Sequence, residues 1–253
     1  MSVELVDGVL RLTFRRPEVL NALSGLMALT LAEQLERANA DDDVRVVVIT
    51  GSGGSFSAGA DISGADAHER FDVRALDAAN RIIRAEVACS KPVLAAVDGV
   101  AAGVGCSVAL AADVIVAKET ATFLLAFSRI GLMPDGGTSA TVAAAIGRAR
   151  AMRMALLAEP LTGQEAYAAG LVTHLAPADG YDDLVAKLTH RLAVGPPLAF
   201  AAAKKAINAA TLDQLEDALE RERTGQTILL RTEDVAEGMA AFSEHRKPTF
   251  RGR

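Results

Sequence analysis

The chain has 253 residues, of which 51% are hydrophobic and 23% charged, so disorder is excluded as its dominant state. A net charge of −6 without basic clusters is unlike a nucleic-acid-binding protein. A membrane span is also excluded, because the longest apolar stretch, Val100–Ala112, is interrupted by glycine and is shorter than the roughly 20 residues that a span needs. Only 4% of the residues are aromatic and much of the apolar content is alanine, which predicts close packing with accessible main chain.

The cysteines, histidines and N-terminus point to a protein of the cytoplasm. Cys89 and Cys106 form no disulfide framework or metal-binding spacing, and the four histidines are scattered. The N-terminus has neither the basic region nor the apolar region of a signal peptide. We therefore expect a cytoplasmic chain with no bound metal, no nucleic-acid partner and no membrane partner.

The predicted elements alternate strands with helices up to about residue 176, and the chain is helical afterwards, which is typical of an α/β fold with a helical extension. In chain order the patterns predict a β-hairpin (Val3–Val6 and Val9–Phe14), a helix capped by Ser24 and ending near Ala40, a strand (Val44–Thr50), a glycine-rich loop (51–61), a polar-faced helix (66–89), a strand (Pro92–Val97), a turn (Asp98-Gly99), a helix (103–112), a strand (Val114–Ala117), an irregular segment (Phe123–Arg129), a loop (Gly131–Gly137), helices (138–157 and 163–169), a strand (Leu171–Leu175), and helices from Tyr181 onward with a break at Gly195-Pro196-Pro197.

Two glycine-rich segments, 51–61 and 103–105, each follow a buried strand. The first lacks the lysine of a phosphate-binding P-loop, and the second lacks the third glycine of a dinucleotide fingerprint. The glycines could simply serve tight turns. Two such junctions that expose backbone N–H groups toward one point would instead form an oxyanion hole.

Several motifs, in order along nearly the whole chain, resemble the crotonase superfamily, also called the enoyl-CoA hydratase/isomerase family. They are Arg16–Ser24, Ser57–Ile62, Lys91–Gly99, Ala102–Cys106, Pro134–Gly137, Leu161–Ala166, Ala169–Val172 and Phe242–Phe250. The resemblance implies a spiral core of ββα repeats over residues 1–194 and a helical C-terminal oligomerisation region over 195–253. It also implies a homotrimer or hexamer and an acyl-CoA thioester substrate, with coenzyme A as part of the substrate and no separate cofactor.

The resemblance also assigns roles to individual positions. The backbone N–H groups of Ala60 and Val104 would bind the thioester oxygen, and the dipole of the helix that begins near Val104 would assist them. The remaining substrate-binding positions that it implies, for coenzyme A and the acyl group, are Val19, Ala22, Ala58, Asp61, Ile62, Gly103, Phe127, Leu132 and Lys247. Arg15, Arg16 or Lys247 could meet the phosphates, although a solvated surface cation is the favoured interpretation of each.

The chain departs from the family's hydratases at two positions. Their two water-activating glutamates would fall at Ser107 and Phe127, and neither residue can act as a base. The remaining carboxylate in the matching region is Asp135, in Pro134-Asp-Gly-Gly137. By itself this motif is typical of a turn, but isomerases that resemble ring-epoxyphenylacetyl-CoA isomerase place their acid/base aspartate at this point. Burial beside Phe127, Leu132 and Met133 would raise its pKa.

The sequence therefore predicts an enoyl-CoA isomerase-like enzyme in which Asp135 moves a proton. One alternative is a 2-enoyl-CoA hydratase of the fatty-acid β-oxidation type, which would need a carboxylate from elsewhere in the chain. The other is a non-catalytic acyl-CoA binding protein. Dehalogenation is disfavoured because the chain has no tryptophan. Cys106 is expected to be a small buried apolar residue, Ser107 a pocket-lining helix residue, and Asp61 and Asp113 structural hydrogen-bonding groups.

Overall fold

A computed structural model describes residues 1–63 and 72–253. Within these ranges the strands are β1 (Ser2–Val6), β2 (Val9–Phe14), β3 (Val46–Gly51), β4 (Val93–Val97), β5 (Val100–Ala102), β6 (Val114–Lys118), β7 (Thr122–Leu124), β8 (Leu161–Thr162) and β9 (His174–Ala176). The helices are α1 (Gly25–Ala40), α2 (Val73–Ala88), α3 (Val104–Ala111), α4 (Thr138–Leu157), α5 (Gly163–Ala169), α6 (Tyr181–Ala193), α7 (Pro197–Thr211), α8 (Leu215–Leu229) and α9 (Glu233–Ser243). Short 3₁₀ turns cover Pro17–Val19 and Ala126–Ile130.

The described residues form two sheets that carry the helices. The larger sheet has the order β1-β2-β3-β4-β6-β9, in which β1 and β2 are antiparallel and the later pairs are parallel. The smaller sheet has the order β5-β7-β8. The order strand, strand, helix recurs in β1-β2-α1 and β4-β5-α3, so each α-helix returns the chain to the start of the next strand.

The parallel strands are buried on both faces, as expected for a sheet covered by helices. One face contributes Leu12, Ile49 and Ala95 to a large apolar core beneath α1 and α2. The other face places Val48 and Leu94 against Tyr181 and other residues of α6. Phe14 and Phe56, which meet edge to face with ring centroids 5.5 Å apart, supply the main aromatic contact in a core built mostly from aliphatic side chains.

The hairpin, the Ser24 cap and most element boundaries confirm the predictions from sequence. The Oγ of Ser24 accepts a hydrogen bond from the N–H of Met27 at 3.3 Å, and the primed-turn pair Asp7-Gly8 has positive φ at both residues. The break at Gly195-Pro196-Pro197 separates α6 from α7, because proline cannot continue a preceding helix but suits the first turn of the next.

Two predicted elements were wrong in position or type, and a third is tested only in part. The last strand runs over His174–Ala176 rather than Leu171–Leu175, because the N–H groups of Leu171 and Val172 still bond Ala166 at the end of α5. The segment Phe123–Arg129 is not irregular: it contains β7, which pairs with β5, followed by a 3₁₀ turn. The helix predicted for 66–89 begins at Val73, where the Asp72 side chain caps it, and residues 66–71 lie outside the described residues.

Two features within correctly predicted regions were missed. The patterns predicted that the turn at Asp98-Gly99 leads into a helix with no strand between them, but Val100–Ala102 form the strand β5. The long helix α4 is kinked at Gly147, whose φ of 77° and ψ of 161° are not helical. Among the helices of the described residues, none is long and apolar enough to cross a membrane.

Candidate active site

The two glycine-rich junctions lie against each other. Ser57 forms a parallel bridge with Ala101, and the N–H of Ala102 donates to the carbonyl of Ser57 at 2.8 Å. A Cβ atom placed on Gly59 would lie 2.8 Å from the carbonyl oxygen of Ala102 and 3.4 Å from the backbone nitrogen of Val104. Only glycine allows this approach, which brings the loop before Ala60 next to the start of α3.

The N–H groups of Ala60 and Val104 are both free to bind an oxygen. Neither donates a hydrogen bond to any residue within 1–63 and 72–253, and both residues are only partly buried. The free N–H of Val104 follows from its place in the first turn of α3, where helical amides have no partner inside the helix. The helix dipole adds partial positive charge at this end. The two junctions therefore have the form predicted for an oxyanion hole.

Asn21 organises the first of these junctions, a role that was not predicted from the sequence. Its buried amide donates to the carbonyls of Ser52 at 2.8 Å and Ser55 at 2.7 Å, and its Oδ1 accepts from the N–H of Arg16 at 2.8 Å. Asn21 has a φ of 57°, a conformation that asparagine tolerates better than most residues. Its side chain thus fixes the glycine-rich loop from inside, and no local motif other than its place in the N-terminal signature marked it.

The predicted coenzyme A positions near the N-terminus form one patch. The N–H of Ala58 donates to the carbonyl of Leu20 at 2.8 Å, and the N–H of Asp61 donates to that of Leu23 at 3.1 Å. These bonds bring together the five predicted positions on this side of the fold: Val19, Ala22, Ala58, Asp61 and Ile62.

Asp61 has the structural role that was expected. It accepts hydrogen bonds from Ser63, and these and its ion pair with Arg16, 2.8 Å from Nη1 to Oδ2, lower its pKa. Arg16 also donates to the carbonyl of Ala22 at 3.0 Å, and Arg15 bonds Ser2, so both cations have partners inside the chain. Lys247 is exposed on the C-terminal segment, and no ion pair holds its side chain within the described ranges. The structure does not bring Lys247 to the patch.

The predicted acyl-binding positions continue from the second junction. The N–H of Gly103 donates to the carbonyl of Leu124 at 3.0 Å, which ties the start of α3 to β7. The N–H of Leu132 donates to the carbonyl of Phe127, also at 3.0 Å, and both of these side chains are buried. The hydrogen bond to Leu124 thus connects Gly103 to the segment that carries Phe127 and Leu132 and continues to Asp135.

Asp135 is packed against the same helix that carries Val104. The Oγ of Ser107, one turn along α3, donates to the carbonyl of Asp135 at 2.9 Å. Asp135 has 9% of its surface exposed, and burial raises its pKa to about 7, an effect to which the nearby Glu222 adds and which a hydrogen bond from Gln226 opposes. The predicted rise in its pKa is thus present, with desolvation as its main cause.

One oxygen of Asp135 is held and the other has no partner. Oδ2 accepts a hydrogen bond of 2.9 Å from Nε2 of Gln226, whereas Oδ1 is buried and has no hydrogen-bond partner within the described parts of the chain. A buried carboxyl oxygen without a partner is costly unless the group is neutral or a ligand meets it. Such a group is a candidate for proton transfer.

Two side chains of α8, Glu222 and Gln226, complete this site and were missed from the sequence. Glu222 accepts from the N–H groups of Gly137 at 2.7 Å and Ser139 at 2.9 Å, at the start of α4. Gln226 accepts from the N–H of Met133 at 3.0 Å. Both residues lie in the segment predicted as an oligomerisation region, and only their distance of four residues, which puts them on one helix face, linked them in the sequence.

A separate cavity of about 440 Å³ lies between α3, α4 and α7, lined by Leu110, Phe200, Ile207 and the ion pair of Asp113 with Lys204. Neither oxyanion position nor Asp135 lines it. Asp113 also accepts from the N–H of Val93 at 2.8 Å, as expected of a structural residue. Cys106 is fully buried, and burial raises its pKa to about 12, so it is the inert apolar residue that was predicted.

The family model for enoyl-CoA hydratase/isomerase matches residues 4–253. The chain belongs to this family. A crystal structure of an enoyl-CoA hydratase from Mycobacterium avium subsp. paratuberculosis K-10 has 49% sequence identity and a TM-score of 0.94, and the match covers 99% of this chain and 98% of that one. The spiral crotonase-like α/β fold that the motifs implied is therefore confirmed, and the chain is an enzyme of the enoyl-CoA hydratase/isomerase family.

Two curated relatives carry different activities in their names. A protein of Rhodobacter capsulatus named "Probable enoyl-CoA hydratase" is 40% identical over 252 residues, with 99% of this chain and 97% of the relative covered. The 1,2-epoxyphenylacetyl-CoA isomerase of Escherichia coli K12 is 36% identical over 251 residues, with 97% and 96% covered. Family membership alone therefore does not distinguish hydration from isomerisation.

Proposed function

We propose that this enzyme is an enoyl-CoA isomerase in which Asp135 moves a proton between two carbons of the acyl chain. The observation that carries the proposal is the unpartnered, buried Oδ1 of Asp135, whose carboxyl has a pKa of about 7. A group with this pKa is present in both protonation states near neutral pH, so it can first accept a proton and then return it.

The proposed reaction needs no group beyond those described. In a 3-enoyl-CoA the carboxylate of Asp135 removes a proton from C2, the carbon between the thioester carbonyl and the double bond, and the C–H electron pair moves onto the thioester oxygen to give a dienolate. The N–H groups of Ala60 and Val104 hold the enolate oxygen while the charge is on it. The protonated Asp135 then returns the proton to the other end of the dienolate, and the double bond has shifted by one position.

The remaining predicted positions would bind the thioester. Val19, Ala22, Ala58, Asp61 and Ile62 form the patch proposed for adenine and pantetheine, and Gly103, Phe127 and Leu132 border the acyl group. The buried apolar side chains of Phe127 and Leu132 favour an apolar acyl chain. Lys247 would reach a phosphate only from another position or another subunit, and the homotrimer or hexamer with residues 195–253 at its interface stays a prediction.

The second candidate is hydration of a 2-enoyl-CoA. The Rhodobacter capsulatus relative supports it by name. Hydration would require a carboxylate that activates water, and the positions expected for it hold Ser107 and Phe127. Glu222 is an unsuitable substitute, since both of its oxygens accept backbone hydrogen bonds. Asp135 would then have to act on water by itself.

The test compares the two reactions on the purified enzyme. We expect a 3-enoyl-CoA to be converted to the 2-enoyl isomer, with crotonyl-CoA hydration slower by at least about a hundredfold. Asp135→Asn should abolish the isomerisation, whereas Asp179→Asn, a matched change at an exposed turn, should leave it intact. Faster hydration than isomerisation would favour the hydratase. Binding of the thioester without turnover, unaffected by Asp135→Asn, would identify a non-catalytic binding protein.

A further inference from the structure

The side-chain amide of Gln226 bridges the loop and the carboxyl group of the proposed site. Its Oε1 accepts from the N–H of Met133 at 3.0 Å, and its Nε2 donates to Oδ2 of Asp135 at 2.9 Å. A backbone N–H can only donate, so the atom that faces Met133 must be the amide oxygen. The amide NH₂ is therefore obliged to face Asp135, and its orientation is fixed by the chain itself.

This arrangement distinguishes the two oxygens of Asp135. Oδ2 receives an N–H and must act as an acceptor, so a proton on the carboxyl group belongs on Oδ1, which has no partner within residues 1–63 and 72–253. Gln226 is itself fully buried, so no water competes with it for Oδ2.

We propose that Gln226 is a positioning residue, which holds Oδ2 as an acceptor and leaves Oδ1 as the oxygen that takes and returns the substrate proton. This inference rests on the proposed isomerase function and names a residue on α8, outside the motifs that define the site. No covalent change occurs at Gln226: the proton moves only between substrate carbon and Oδ1.

Among the described residues, Glu222 is the charged group that acts on Asp135, so the effect of Gln226 is measurable. Glu222 acts from α8, and its carboxylate raises the pKa of Asp135. From α3 the neighbour is the neutral Ser107, and from α2 the apolar Ile83 lies near the next residue, Gly136. A donated hydrogen bond stabilises the carboxylate form, so removing the amide should raise the Asp135 pKa further.

The experiment measures the Asp135 pKa without substrate and the reaction with it. Infrared difference titration follows the carboxyl group, which is assigned by its loss in Asp135→Asn. We expect Gln226→Leu and Gln226→Glu to move its midpoint to higher pH. Leucine removes the N–H donor to Asp135. Glutamate replaces the amide with a carboxyl group of the same length, which can still accept from the N–H of Met133. The glutamate variant therefore tests the proposal even if the leucine variant does not fold. Thr227→Ala, which removes a hydroxyl that donates to the carbonyl of Arg223 one turn earlier on α8, is the matched control.

The kinetic part uses the pH profile of 3-enoyl-CoA isomerisation. In both Gln226 variants kcat near neutral pH should fall by about tenfold or more, the lower limb of the profile should move to higher pH, and KM should change little. An unmoved carboxyl midpoint in both folded variants would overturn the role of Gln226. A moved midpoint in an enzyme whose wild type does not isomerise would instead overturn the proposed function and leave the assignment of the amide standing.

Discussion

The hydroxyl of Ser107 donates a 2.9 Å hydrogen bond to the carbonyl of Asp135, which joins the helix of the oxyanion junction to the loop of the carboxyl group. The contact is close: a Cβ atom placed on Gly136 would lie 2.8 Å from the Cβ of Ser107. Gly136, with a φ of 63°, lies directly over the position where the resemblance predicts a glutamate in hydratases. The site has room for Asp135 because residue 107 is small.

This packing predicts that Ser107→Glu does not produce a hydratase. The added carboxylate would be buried under the Asp135 loop, so the variant should lose about 3 kcal/mol or more of unfolding free energy and gain no hydration of crotonyl-CoA. Ser107→Ala, which removes only the hydroxyl, should cost about 1 kcal/mol and a modest part of the isomerase rate. Chemical denaturation and a hydration assay of both variants test this. A stable, hydrating Ser107→Glu enzyme would contradict it.

The oxyanion junction predicts a large effect of one methyl group. In Gly59→Ala the new Cβ would meet the carbonyl oxygen of Ala102 at 2.8 Å and crowd the N–H of Val104. Because one oxyanion donor is typically worth about 10²–10³ in rate, kcat should fall by about that factor.

The matched control for this change is Gly54→Ala on the same loop. Gly54 also has a positive φ, 76°, but a Cβ there would meet nothing within 4 Å. It shares the backbone strain of about 1–2 kcal/mol and lacks the crowding. Equal losses of kcat in the two variants would show that strain, and not the junction, causes the effect.

Burial of Asp135 predicts a stability that depends on pH. Its pKa is raised from 3.8 to about 7 in the folded chain, so the folded state binds a proton that the unfolded state has released. The contribution of the Asp135 carboxyl to the free energy of unfolding is complete below its pKa in the unfolded state. It is lost as the pH rises through its pKa in the folded state. By about pH 8 the loss is on the order of 4 kcal/mol, from about 1.4 kcal/mol for each pH unit.

Asp135→Asn removes the free-energy cost of burying an ionised carboxylate, so the inactive variant should be more stable than the wild type. At about pH 8 the variant should unfold at higher denaturant than the wild type, and the difference should shrink toward about pH 4. Glu86, whose pKa burial also raises, is present in both proteins and cancels in the comparison. Protein concentration must be held equal because assembly would change both transitions. A difference that is independent of pH would contradict the raised pKa.

The sequence predicted the backbone of this site better than its supporting side chains. The two glycine-rich junctions were candidates for one site because glycines after buried strands mark places where main chain is exposed, and the resemblance assigned Val104 to that site. The structure brings Gly59, Gly103 and Val104 into contact. Asp135 could be singled out because the two positions where the resemblance places glutamates in hydratases hold Ser107 and Phe127 in this chain. Gln226 and Glu222 could not, since they lie about 90 residues away on an ordinary amphipathic helix, and only tertiary packing brings that face to the loop.

The secondary-structure elements differ in the same way, because local sequence determines some of them and contacts between distant residues determine others. The Asp7-Gly8 hairpin and the Ser24 cap are local, and both were predicted correctly. The short strands β5 and β7 were missed because three residues carry no periodicity, and they exist by pairing with each other. The last strand begins three residues later than predicted, because the helix α5 ends in local backbone hydrogen bonds from Leu171 and Val172 to Ala166, which the apolar run by itself does not show.

A buried charge cluster between α2 and α7 supplies the last prediction. The Nζ of Lys204, whose side chain is only 8% exposed, lies 2.8 Å from Oδ2 of Asp113 and donates to the carbonyl of Glu86 at 2.9 Å. The carboxyl oxygens of Glu86 have no hydrogen-bond partner among the described residues, and burial raises its pKa well above the ordinary value, which favours the neutral form. Lys204 is thus the cation that balances Asp113 under α7.

Lys204→Met should therefore destabilise the fold by about 1–3 kcal/mol near neutral pH, because the partly buried carboxylate of Asp113 loses its cation and keeps only the N–H of Val93. The double variant Lys204→Met with Asp113→Asn should recover a large part of this loss, since no unpaired charge remains. Lys205→Met, at the exposed neighbouring position on α7, should change stability by less than about 0.5 kcal/mol. Denaturant unfolding of the four proteins measures these differences. No recovery in the double variant would mean that the lysine acts through its packing and not through its charge.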